Sequence, residues 1–83
     1  MTPAEREVLA TLKELVTLKL NGAHIPLEMV DAMPWETRPV YAFGANLTGH
    51  MVTMLADALE LKPAALWARI LVTSAVLGLE GSL

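Results

Sequence analysis

Residues 63–79, PAALWARILVTSAVLGL, contain a single charged side chain, Arg69. Leu66, Trp67, Ile70, Leu71, Val72, Val76, Leu77 and Leu79 cover almost every side of a helix that turns about 100° per residue. Arg69, Thr73 and Glu80 keep one narrow polar strip, with Ser74 beside it. Such a helix must be buried on most sides. Pro63 suits its first turn, and Gly78 and Gly81 lie near its end. The chain that has to bury it has only 83 residues, of which 54% are hydrophobic, with a mean hydropathy of +0.48. A domain of this size removes only about 60–65% of its unfolded surface from water. The last helix is therefore expected at the centre of the fold or at a subunit interface, and some apolar surface should need a cover. A second copy is the simplest cover, because symmetric dimers are the commonest oligomers. Another protein or a membrane would be the alternatives.

The first helix is predicted over residues 3–20. Thr-Pro-Ala-Glu at residues 2–5 reads as a capping box with proline at the first helical position. Val8, Leu9, Leu12, Leu15, Val16 and Leu20 form its apolar face, with Arg6, Lys13, Glu14 and Thr17 on the wet side. Asn21-Gly22 should end it. A short helix over PLEMVDAM would turn Leu27, Val30 and Met33 inward and Glu28 and Asp31 outward, and Pro34 would stop it. PWETRP is a bend. Trp35 within it is expected to close over the core, the other reading being an exposed anchor for a partner.

A third helix should start at Thr37 or Pro39 and run to about Glu60. Asn46, His50, Thr53, Asp57 and Glu60 fall on one line along it, and Val40, Phe43, Leu47, Met51, Met54 and Ala58 on another. Gly44 and Gly49 lower helix propensity by roughly 1 kcal/mol each, with close approach of another helix as the expected benefit. Met29, Met33, Met51 and Met54 read as core filler, although a methionine-lined partner groove is the functional alternative.

Little in the chain points to chemistry. His24 and His50 are the only histidines, and neither has the spacing of a metal site. Asp57 could orient His50 as a base only from a neighbouring helix or subunit. Cysteine is absent, which excludes disulfides and thiolate ligands and fits a reducing compartment. Serine occurs only at Ser74 and Ser82, without a nucleophile elbow, and no phosphate-cradling glycine pattern appears. Neither an enzyme nor a cofactor is expected. Glu5, Arg6 and Glu7 interrupt the N-terminal stretch, so it is not expected to act as a secretory signal. Residues 39–56 and 64–79 could suggest a membrane hairpin, but Asn46, Thr48, His50, Thr53 and Arg69 argue against it.

LADALELKPAALWARIL, residues 55–71, resembles the general helix-turn-helix pattern. Leu55, Ala56 and Leu59 match the first helix, Leu61 the apolar turn position, and Leu66 and Ile70 the inward face of the second helix. The departures weaken a DNA-reading role. Glu60 stands where glycine is usual. The outward positions of the would-be reading helix are Lys62, Pro63, Ala64, Ala65, Trp67, Ala68 and Arg69. Of these, only Lys62 and Arg69 could contact phosphate, next to Asp57 and Glu60. The net charge of −3 gives no general attraction to a phosphate backbone. Alanines beside a tryptophan suit a protein contact better.

The resulting expectation is an all-α chain forming one domain over residues 1–83. It is a compact bundle of three longer helices and one short one, with a helix-turn-helix-like corner near residues 55–71. Its expected role is that of a cytoplasmic, non-catalytic protein-interaction module such as a regulator, inhibitor or assembly factor. It should act as a homodimer through Ala64, Trp67, Ala68, Leu71 and Trp35. A DNA-binding regulator using Lys62 and Arg69 is the alternative.

Overall fold

Thr2 decides where the first helix begins. Its hydroxyl accepts the backbone N–H of Glu5 at 3.1 Å, and its own N–H donates to the Glu5 carboxylate at 2.9 Å. This reciprocal box satisfies two of the donors that a helix start leaves open. The computed structural model describes residues 1–78, and among these it contains α1 (Pro3–Leu20), α2 (Leu27–Ala32), a single 3-10 turn (Trp35–Thr37), α3 (Arg38–Leu59) and α4 (Pro63–Val76). The fold is an all-α bundle in which α1, α3 and α4 pack against one another. Leu79 and Glu80, assigned above to the last helix, lie outside the described residues, as does Gly81; α4 itself gives way at Leu77 to Gly78, whose φ is 68°.

The capping box has a pH signature. Hydrogen bonds from the Thr2 backbone and then its side chain hold the Glu5 carboxyl below the usual carboxylate range. A lowered folded pKa contributes stability above the ordinary value, and that contribution is lost as pH falls through the lowered one. Glu5→Gln keeps the box but removes the charge. The stability difference between wild type and Glu5→Gln should therefore shrink on acidification in urea melts run across the carboxylate range.

Two helix ends use the same device. After α1, Ala23 N–H reaches Leu18 C=O at 2.9 Å and Gly22 N–H reaches Lys19 C=O at 3.1 Å, with Gly22 at φ 69°. After α3, Leu61 N–H reaches Ala56 C=O at 2.8 Å and Glu60 N–H reaches Asp57 C=O at 3.2 Å. Both are Schellman closures, which need one left-handed residue. At the second it is Glu60, with φ 57° and ψ 42°. A side chain there costs about 1–2 kcal/mol that glycine avoids, and a carboxylate stands at the negative end of the helix dipole. Glu60→Gly is expected to stabilise the chain by about 1 kcal/mol, raising Tm by roughly 4–8 °C in a thermal melt.

The core is small. Leu15 and Val16 from α1, Ala45, Val52 and Ala56 from α3, and Leu66 and Trp67 from α4 make up its buried apolar cluster. Leu20, Met29, Met33, Tyr41, Ile70 and Leu71 pack against it half-buried. One polar link ties its ends together. Trp67 Nε1 donates to Thr17 Oγ1 at 2.8 Å, and that hydroxyl donates to Lys13 C=O at 2.7 Å. Thr17 thus faces inward, not the wet side, because the indole N–H entering the core needs an acceptor. Leu27, expected inside, is exposed, whereas Val30 and Met33 turn partly inward. Thr37 stands at the N-cap position of α3 but gives it no side-chain hydrogen bond, since its hydroxyl donates to Pro34 C=O at 2.9 Å.

Candidate interaction surface

α3 has two apolar sides, and the smaller residues face the core. Ala45, Gly49, Val52 and Ala56, spaced four, three and four apart, are its buried positions. Their size lets α1 come close: a Cβ added at Gly44 would sit 3.4 Å from Leu12 Cδ2, and one at Gly49 3.9 Å from Leu20 Cδ2. The large line, Val40, Phe43, Leu47, Met51 and Met54, then points directly away from the core. Its members are between 48% and 71% exposed. The four methionines beyond Met1 divide accordingly. Met29 and Met33 fill gaps beside the core, whereas Met51 and Met54 lie on the outside.

α4 repeats the pattern in smaller residues. Leu66 and Trp67 face inward, while Ala65, Ala68, Val72, Ala75 and Val76 are exposed around Arg69. The expectation that this helix is buried on most sides fails within one chain. The bundle is only 17 Å deep along its shortest axis, about two helix layers, so an outer side of each long helix stays open. Seven apolar side chains are buried among the described residues, against fifteen large ones that are exposed. That balance is the excess apolar surface that composition and size implied.

The expected interface residues separate. Trp67 is only 8% exposed and belongs to this chain's own core, so it cannot anchor a partner. Ala64 and Leu71 are half-buried beside it, and Ala68 is open. Trp35 is 75% exposed and closes over nothing; Pro34 and the 3-10 turn hold it on the outside. Lys62 and Arg69 are both exposed, but the side of α4 that would enter a DNA groove carries Ala65, Ala68 and Val72 around that one arginine.

The sites that might have carried chemistry stay dispersed. His24 and His50 are both exposed. The Thr53 hydroxyl, one turn from His50, donates to Gly49 C=O at 2.8 Å. Among the described residues no three His, Cys, Asp or Glu side chains are grouped to hold a metal ion. A groove of about 450 Å³ between α1, α2 and the 3-10 turn is lined by Glu7, Thr11, Glu14, Met33 and Tyr41. No helix among the described residues is long and apolar enough to cross a membrane.

Comparison with known protein families, curated proteins and solved structures finds no match to this chain. Its function has to be read from the surface itself. The line that sequence reading did not assign to an interface is the outer side of α3. Its signal was present, because a second line of helically spaced residues, Ala45, Gly49, Val52 and Ala56, was free to fill the core side instead.

Proposed function

We propose that this chain is a non-catalytic helical interaction module that works as a homodimer and offers further apolar surface to a second protein. The observation that carries the reading is the outer side of α3, where Val40, Phe43, Leu47, Met51 and Met54 are left open. Fully burying such a side chain stabilises by about 1.5–3 kcal/mol, so five in a row on a folded surface favour association. The outer side of α4 and the exposed Trp35 are what remains for a different partner, since tryptophan in particular anchors interfaces. Light scattering at micromolar concentration tests the dimer. Twice the 9.0 kDa chain mass is expected, and a stable, folded species of 9.0 kDa would overturn it.

The DNA-reading alternative has one feature in its favour, the tight left-handed corner at Glu60 that joins α3 and α4. Against it stand the inward Trp67 and the scarcity of donors on the open side of α4. The chain is expected to pass through heparin and duplex-DNA columns unretained at low salt. Salt-sensitive retention that Lys62→Glu with Arg69→Glu abolishes would reverse the ranking.

A further inference from the structure

We infer that the outer side of α3 is a self-complementary seam, on which α3 of a second copy lies antiparallel with the two-fold axis at Leu47. The inference rests on the homodimer reading and specifies its interface. On an ideal helix Val40, Phe43, Leu47, Met51 and Met54 fall within about 80° of one another and span about 21 Å. Their order is symmetric about the middle. Reversing a second α3 about Leu47 sets Val40 opposite the partner's Met54, Phe43 opposite the partner's Met51, and Leu47 opposite itself. This reciprocity is what an isologous interface requires. At the four outer levels the facing side chains lie on opposite sides of the plane through the two axes, so they pass beside one another, while the two Leu47 side chains meet on the axis. Phe43 against methionine is a favourable sulfur–aromatic contact.

Charge and area select a second copy over other occupants. No Asp, Glu, Lys or Arg occurs between Arg38 and Asp57, so two α3 helices meet without like charges opposed. Antiparallel pairing also sets each helix's negative end beside the other's positive end. An anionic lipid surface would want lysine or arginine flanking the apolar side. The flank here carries Asn46, His50 and Asp57. The five side chains are 48–71% exposed, on the order of 500 Å² per copy, already near the largest patch a monomer ordinarily leaves. Leu55, also open and about 80° round the helix from Leu47, widens it toward the ~800 Å² per partner of a stable complex.

The chain has no cysteine, so introduced ones report without background. Facing positions on helices 8–10 Å apart bring Cα atoms to roughly 4–6 Å, within disulfide reach. Leu47→Cys should cross-link to itself under mild oxidation, with helicity unchanged by circular dichroism. Phe43→Cys and Met51→Cys should cross-link when mixed, and far less when each is oxidised alone. A parallel seam would give the opposite result for that pair and would overturn the inference. So would a dimeric mass with Leu47→Cys uncross-linked while Val72→Cys on α4 cross-links, which leaves the homodimer standing but moves its interface. A single-chain mass at all concentrations, or mass gained only on adding lipid vesicles, would overturn both the seam and the homodimer.

Discussion

Trp67→Ala is expected to remove a large part of the chain's stability and to lower its melting temperature steeply. Removing a buried tryptophan costs about 3–5 kcal/mol, and a domain of this length has roughly 4–12 kcal/mol in total. Trp67 lies in the small core with Leu15, Val16 and Leu66 and also supplies the indole N–H bonded to Thr17 at 2.8 Å. Far-UV circular dichroism should show loss of helix at temperatures where wild type is folded. A milder probe isolates the polar link. Thr17→Val leaves the indole donor without its acceptor and should cost about 1–3 kcal/mol, while Thr17→Ser should cost far less. Equal melting temperatures for wild type and Thr17→Val would show that the bond does not hold α4 to α1.

The second large effect has a different signature. Leu47→Asp should leave each chain folded, because the side chain is 48% exposed in the single chain. It should nevertheless abolish self-association. At the two-fold axis it would bury two facing carboxylates, each costing several kcal/mol without a partner. A loss of roughly 4 kcal/mol or more corresponds to about a thousandfold in Kd. Sedimentation of the variant should give a single-chain mass with the wild-type helix signal. The two substitutions thus separate the core from the interface: one removes helicity, the other removes mass. A Leu47→Asp variant that still dimerises would move the interface elsewhere.

Element boundaries were legible because they rest on local chemistry. The Thr2–Glu5 box, Gly22, Pro34 and Pro63 each act within a few residues, and the helices begin and end beside them. Orientation was less legible. α4 is apolar nearly all round, so its periodicity carries no phase, and Trp67 could be placed inside or outside with equal ease. Its inward place is set by apolar burial against α1 and α3 and is made tolerable by a hydrogen bond to a residue fifty positions away, Thr17, whose polarity alone suggests the wet side. α3 posed the same difficulty in another form. Two lines of apolar residues run along it, and hydropathy does not state that the smaller one packs inside. That choice depends on how closely α1 can approach, as Leu12 beside Gly44 illustrates. For Trp35 the general tendency of a tryptophan near a bend to pack inward points to the lid, whereas Pro34 and the 3-10 turn leave it 75% exposed, as the partner-anchor reading has it.

Small-angle X-ray scattering of the wild-type chain at tens of micromolar bears most directly on the covered α3 side. The expected result is forward scattering from two 9.0 kDa chains and a radius of gyration well above the 13.3 Å of the single bundle. Forward scattering from one chain, with a radius near that of the single bundle at every concentration, would contradict it.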